Sequence, residues 1–497
     1  MNKGTLLKNT FLNSISNIIL RILQMIQGIF VANILGPAQY GIKSALQLFD
    51  YLAYYDLGAL SFFYNERSKN EYINKNYVKQ LSNEIFSFLL LMSIFVIIFC
   101  SILTLFIPYS LTVKLSILVI GFSVIFGSFS SFYRVILKSR SEFTILSKSY
   151  ILLGVTTFLF IIIFVYLFGV LGYFLGAAIG TFTSLLYYIK KTDYSPKFNI
   201  NYPIYLKIIK LGFLLFVVSL GYISLISIDK IFFVLFYSKA DLGYYSIGLF
   251  ISGLLYFIMQ MLFDPIFPKM LQSLGTENVK KYLVDAGKIV YNILFYFSIL
   301  SILLSPFLIF VLPAYGPALV YIYILVFGTI FMPMLSYFYL IGIKRIGLLL
   351  CLLFVSLFLA IVLNGSVIYC NLPGIYIAVI TSIVFFFYGN MTNLIAYKQV
   401  NNSWRLAFKA VFNYLWPLAY ALVGYGLLWL LAHFWLYGFI NYYVVKVVQA
   451  VLFTIWYSPI LWKIEKEHRI IKIIWTGIKR KLKGKDQVVN SVQDNIS

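Results

Sequence analysis

Pro317 to Gly342 reads PALVYIYILVFGTIFMPMLSYFYLIG, 26 residues without a charge. About 20 apolar residues in a helix cross the hydrocarbon core of a bilayer, so this stretch predicts a transmembrane helix. Pro373 to Tyr397 predicts another equally clearly. Outward from these two, apolar runs recur along the 497-residue chain, which is 62% hydrophobic and 11% charged, with a mean hydropathy of +0.91. Soluble domains sit near 45–50% apolar and about 25% charged. Fourteen spans are predicted, at 9–34, 39–63, 84–107, 115–137, 147–168, 171–190, 209–237, 242–267, 288–312, 317–342, 346–364, 373–397, 408–432 and 438–462. The sequence is that of an all-α polytopic membrane protein.

The net charge of +23 is explained by topology. Of the 39 Lys and Arg residues, all but six fall in the N-terminus, in alternate loops or in the C-terminal tail. The six are Lys43, Lys114 and Lys239 at the opposite helix ends, and Arg21, Lys230 and Lys446 within spans. Cytoplasmic loops carry the excess of Lys and Arg, which predicts both termini inside and an even number of crossings. The basic residues are thus a cytoplasmic rim, and nucleic acid is not an expected partner. The N-terminal apolar run has no small-residue cleavage pattern after it and is read as a retained anchor.

The remaining loops, on the outer side, are short: 35–38, 108–114, 169–170, 238–241, 313–316, 365–372 and 433–437. They leave no outer domain to hold a sugar acceptor and catalytic acids, which counts against a membrane glycosyltransferase or polymerase. The sequence contains no Gly-x4-Gly-Lys-Ser/Thr loop for ATP. Cys100, Cys351 and Cys370 form no metal or disulfide pattern, and His433 and His468 are the only histidines. No cofactor or metal is expected, and the pattern is that of a secondary transporter rather than an enzyme. Most of the aromatic residues, 19% of the chain, are read as interfacial belts and packing.

The polar linker 191–208 divides six spans (1–190) from eight: six more over 209–400, then two over 401–463, then a basic amphipathic tail over 464–497. An offset of 202 residues lays Ala38, Gly41 and Ser44 on Ala240, Gly243 and Ser246, which agrees with two parallel six-helix repeats.

Charges within spans identify candidate sites. Arg21, Asp50, Asp56, Asp229 and Lys230 would each cost roughly 3 kcal/mol facing lipid, about 15 kcal/mol together, which rivals the stability of a whole domain. They are therefore expected to be paired or wet. Asn13, Asn17, Arg21, Gln24 and Gly28 recur at steps of 4, 4, 3 and 4, one face of a helix. Lys43, Gln47, Asp50, Tyr54 and Gly58 recur at 4, 3, 4 and 4. Two polar stripes predict either a water-filled groove in which Arg21 attracts an anionic headgroup, or an Arg21–Asp50 pair that fastens two helices. Adjacent Asp229 and Lys230 project about 100° apart and cannot face one surface. Asp264 reads as a helix end, Lys446 as a snorkelling cation, and Asn390 and Asn393 as bonding across helices.

Three stretches carry a family resemblance: Asn33-Ile-Leu-Gly-Pro-Ala-Gln-Tyr-Gly41, Asp56-Leu-Gly58, and Ser227-Ile-Asp-Lys230 followed by Ala240-Asp-Leu-Gly-Tyr-Tyr-Ser246. They resemble the Wzx-type O-antigen and capsule repeat-unit flippases of the multidrug/oligosaccharidyl-lipid/polysaccharide (MOP) superfamily. The resemblance implies a V-shaped, MATE-like pair of six-helix lobes plus two helices in a bacterial inner membrane. It implies movement of polyprenyl-diphosphate-linked oligosaccharides from the cytoplasmic to the outer leaflet by alternating access. Arg21, Asn17, Gln24, Gln47 and Lys230 would line the cavity. Asp50, Asp56 and Asp229 would couple to Na+, H+ or the membrane potential, or form structural pairs. Membrane lipids, a polysaccharide polymerase and glycosyltransferases would be partners. Lipid II flippases resemble the chain around Arg21 but carry an Arg-Asp pair where Gln27-Gly28 stands here. A cation-coupled multidrug exporter is the other alternative, kept open by the three aspartates.

Overall fold

The computed structural model describes residues 3–468 except 71–73, 107, 141, 193, 264–269, 271–272, 333 and 437–440. The tail beyond 468 and the expected helix end at Asp264 lie outside the described residues, as do the side chains of Asn13 and Asn17. No β-strand occurs among the described residues. Twelve of the described helices are long and apolar enough to cross a membrane. The chain is a multi-pass, all-α membrane protein.

The first helices are α1 (Lys3–Leu46), a 3-10 stretch Gln47–Asp56, α2 (Ala59–Asn70), α3 (Lys75–Phe106), α4 (Leu111–Ser139), α5 (Phe143–Phe168) and α6 (Val170–Lys191). They continue with α7 (Tyr202–Leu225), α8 (Ile228–Phe236) and α9 (Lys239–Phe263). Further along come α10 (Ala286–Leu304), α11 (Ala318–Thr329), α12 (Met334–Gly342), α13 (Ile346–Tyr369), α14 (Ile375–Asn401), α15 (Trp404–Leu431) and α16 (Tyr442–His468).

Several predicted continuous spans are broken. The turn expected at 35–38 is a kink inside α1, with Gly36 at φ 68° and ψ 171° followed by Pro37. Pro37 cannot donate within the helix, and Gly36 takes a backbone that a side chain would strain. The predicted second span, 39–63, passes from α-helix into ten residues of 3-10 helix and stops at Leu57 and Gly58, both at positive φ. With three residues per turn, Gln47 and Asp50 stay on one face while Tyr54 turns away from it. The predicted seventh span is split at Ile226–Ser227 into α7 and α8, and the predicted tenth into α11 and α12.

Two compact units make up the chain. The first comprises Met1–Ser252, Leu308–Gly328 and Ile346–Tyr388; the second comprises Gly253–Phe307, Thr329–Arg345 and Gly389–Ser497. The linker 191–208 belongs wholly to the first unit. Within that unit α5 and α6 touch backbone to backbone through Gly172, Gly176 and Gly180, spaced by four. A Cβ on these glycines would lie 1.8 Å from Phe164 O, 2.6 Å from Ile161 Cα and 2.2 Å from Thr157 Cγ2. Small residues at such spacing are how membrane helices approach closely without a hydrophobic drive between them. The second unit is held by a buried polar knot. Asn393 donates to Tyr291 at 2.9 Å and Tyr414 at 3.2 Å, and accepts from Ser336 at 2.6 Å; Tyr414 donates to Asn390. Asn390 and Asn393 thus do bond across helices.

Residues 194–201 lie along the first turns of α3. Tyr194 donates to Asn83 Oδ1 at 2.7 Å, Lys197 N to the same oxygen at 3.0 Å, and Asn199 N to Ser87 Oγ at 2.8 Å. Asn201 stands at the N-cap of α7, yet its amide donates to Glu84 at 2.8 Å and caps nothing. The linker is therefore a strap fastened to α3.

Candidate functional site

A polar cavity of about 470 Å³ opens inside the first unit. Its walls come from α1, the 3-10 stretch, α5, α6, α8 and α9. Lys43 reaches it from the last turn of α1 and is only 7% exposed. Its ammonium sits 4.6 Å from the ring centres of both Tyr40 and Tyr173, a geometry in which ring faces attract a cation. Gln47 donates to Tyr173 Oη at 3.4 Å. Lys230 enters from the first turn of α8. Asp50 lies within Coulombic range of Lys43 and Lys230, and the two lysines sense each other. Asp229, the residue before Lys230, is within Coulombic range of Lys230 as well. Neither aspartate is among the residues that line the cavity, so the charges at its described wall are the two ammonium groups. In a medium of low dielectric they act over longer distances than in water.

Of the candidate residues, Gln24, Gln47 and Lys230 line this cavity. Arg21 lies one turn before Gln24 and donates to its Oε1 at 3.2 Å. The cations within Coulombic range of Asp50 are Lys43 and Lys230. Asp56 accepts from Leu60 N at 3.0 Å and Gly58 N at 3.4 Å, the position of a cap on α2. Asp229 and Lys230 do part ways: Lys230 faces the cavity, whereas Asp229 is 1% exposed. Its Oδ2 accepts from Tyr245 and, at 3.3 Å, from Thr381. The break before α8 puts both residues in a helix N-terminal turn, where broken membrane helices place ion-binding groups.

Lys43, Tyr40 and Tyr173 were missing from the sequence-derived site. Lys43 stood in the second stripe but near a span end, where a lysine is expected to snorkel. Only the turn of chain at Gly36 reveals that it points inward. Ser246 also lines the cavity, and its buried hydroxyl finds no hydrogen-bond partner among the described residues.

Comparison with known proteins places this site in a family. Residues 6–273, more than half the chain and all but the last elements of the first unit, match the model of the polysaccharide biosynthesis proteins. The chain belongs to that family. No curated protein sequence matches it. Among solved structures it is similar to the lipid II flippase MurJ in an inward closed conformation, at 16% identity over 91% of this chain and 99% of that one, with a TM-score of 0.69. It is also similar to an inward-facing multidrug resistance MATE transporter of the MOP superfamily, at 14% identity, 77% and 95% coverage and a TM-score of 0.60. An outward-facing transporter of the same kind matches at 15% identity, 79% and 96% coverage and a TM-score of 0.53. These likenesses show the fold, an all-α transporter fold shared with MurJ and the MATE transporters.

Proposed function

We propose that this polysaccharide biosynthesis family member is a flippase that carries polyprenyl-diphosphate-linked oligosaccharides from the cytoplasmic to the outer leaflet of a bacterial inner membrane. The observation that carries this reading is that Lys43 and Lys230 both line one polar cavity whose described lining contains no acidic residue. Diphosphate and sugars cannot cross hydrocarbon unaided. Two lysines supply charge to the diphosphate; Gln24, Gln27, Gln47 and Ser246 offer hydrogen-bonding partners to sugar hydroxyls. The reaction is movement alone, with no bond made or broken. Glycosyltransferases would supply the substrate and a polymerase would take it for O-antigen, capsule or similar polymers.

Asp229, held by Tyr245 and Thr381, is the carboxylate best placed to couple transport to H+ or Na+. A multidrug exporter for cationic compounds is disfavoured by the same two lysines, which would repel such cargo. A lipid II role is disfavoured by Gln27-Gly28, since Gln27 is a buried, uncharged wall residue.

The test is depletion in the native host. Lipid-linked oligosaccharides are extracted and probed in spheroplasts with a membrane-impermeant sugar-modifying enzyme. Complete units that accumulate and stay protected support the reading. Normal levels and normal access, with new sensitivity to cationic dyes, overturn it in favour of drug export.

A further inference from the structure

A second cavity, about 510 Å³, lies in the first unit and has no part in the site above. One side is apolar, with Ile42, Ala45 and Leu46 of α1, Phe49, Ile117 of α4 and Phe233 of α8. A polar rim, Tyr109, Ser110, Tyr237, Ser238 and Lys239, comes from the α3–α4 and α8–α9 connections and the start of α9. Around it Phe106, Leu111, Leu235 and Phe236 are each more than half exposed. In a membrane protein, surface of that kind faces lipid.

The two cavities share a wall. Along residues 40–49, Tyr40, Lys43, Ser44 and Gln47 face the polar cavity, and Gly41, Ile42, Ala45 and Phe49 face the apolar one. A molecule that fills both is an amphiphile with an anionic, hydroxyl-rich head and an apolar chain. Charge at the polar rim fits the same molecule. Lys239 and Lys114, the latter one residue past the wall residue Val113, belong to the small set of cations expected on the outer side. Asp241, two residues after Lys239, is engaged at the start of α9: Ser238 Oγ donates to its carboxylate at 2.6 Å and its N–H donates back to Ser238 Oγ at 3.1 Å.

We infer that this groove receives the isoprenoid chain of a polyprenyl phosphate on the outer-leaflet side, with the phosphate against Lys239. The inference rests on the flippase reading and its sidedness. It gives the apolar chain a protein path beside the polar cavity, so that the tail leaves with the head without being buried among ammonium groups.

The test uses the full chain in nanodiscs and a polyprenyl phosphate carrying a diazirine, with adducts mapped by mass spectrometry. Adducts on 42–49 and 233–239 are expected to persist under equimolar phosphatidylglycerol. Ala45→Trp, which fills the groove, should remove them. Lys239→Ala should weaken labelling about fivefold, the worth of one cation near a phosphate. If Ala45→Trp does not fold, Val113→Trp fills the space from the facing wall. Adducts spread evenly over lipid-facing helices such as α13, or competed away by phosphatidylglycerol, overturn the inference. Adducts on α6 near Tyr173 with none in the groove overturn it alone and leave the flippase reading intact. Absence of adducts from both cavities overturns the two together.

Discussion

Gly41 and Gly243 are reciprocal. A Cβ on Gly41 would lie 1.8 Å from the carbonyl oxygen of Lys239, and one on Gly243 would lie 2.0 Å from that of Pro37. The partners obey the 202-residue offset as well, since 37 pairs with 239 as 41 pairs with 243. The segments around 37–41 and 239–243 therefore meet through equivalent backbone surfaces, as two copies related by a pseudo-two-fold would. At the far end of the 3-10 stretch, Gly58 and Gly212 also exclude each other's side chains, each at under 3 Å from the other segment's carbonyl oxygen.

Gly41→Ala and Gly243→Ala should therefore cost similar amounts, about 1–3 kcal/mol each by overpacking. The double variant should cost less than twice as much, because moving one backbone relieves both clashes. Gly36→Ala meets nothing within 4 Å, but φ 68° with ψ 171° is a backbone almost reserved for glycine, so it should cost about 1–3 kcal/mol through strain alone. Thermal unfolding of the detergent-purified protein ranks the three. A Gly41 and Gly243 double variant as damaged as the two single variants summed would refute the contact argument.

Lys43→Gln and Lys230→Gln should each weaken transport about tenfold, the loss of one charge-assisted contact to phosphate of about 1.4 kcal/mol. Lys43→Arg should keep part of the activity, since guanidinium also stacks on Tyr40 and Tyr173. Asp50→Asn removes the opposing charge and should tighten substrate binding. Arg21→Ala should weaken transport less than either lysine variant, because Arg21 contacts Gln24 rather than lining the cavity wall. Accumulation of protected lipid-linked units in complemented cells measures each. A Lys230→Gln variant with full export would exclude the anion site.

Tyr245→Phe leaves Thr381 as the remaining side-chain donor to Asp229 Oδ2. A buried acceptor deprived of a donor costs about 1–3 kcal/mol, so this variant should lower the unfolding temperature while keeping gradient dependence. Asp229→Asn should do the reverse, leaving a folded protein whose transport no longer responds to the ion or proton gradient. Proteoliposome flipping with and without an imposed gradient separates them. Equal gradient response in Asp229→Asn and the parent would reduce Asp229 to a structural role.

Much of the fold was legible in the sequence because apolar length and charge placement are read one segment at a time. What depended on neighbours was not. The stripe through Lys43, Gln47, Asp50, Tyr54 and Gly58 assumed a period of 3.6, whereas the chain winds with a period of three from Gln47 to Asp56. A period of three keeps Gln47 and Asp50 on one face and turns Tyr54 away from it, which the stripe did not anticipate. Asp56 looked like an intramembrane charge because its partners are backbone N–H groups, and only the positive-φ turn at Leu57 and Gly58 brings those to it. Lys43 was hidden for the same reason: its cage comes from Tyr40 on its own helix and Tyr173, 130 residues away. Lys446 behaves similarly, only 7% exposed with its ammonium 5.4 Å from the Tyr442 ring.

The strap over 194–201 read as a polar divider, and its sequence gives no reason to expect otherwise. Asn83 accepts from both Tyr194 and Lys197 N, so Asn83→Ala removes two of the bonds that hold the strap to α3. Exposed backbone opens with little cost once such bonds are gone, and trypsin cleaves only chain that opens. Cleavage after Lys197 should accelerate about tenfold in Asn83→Ala, corresponding to about 1.4 kcal/mol of local opening energy. Asn201→Ala should act less, because its loss frees the cap position of α7 for water while the three bonds upstream remain. If Asn83→Ala and the parent are cut at the same rate, the strap does not depend on α3, and the connection between α6 and α7 is a free linker after all.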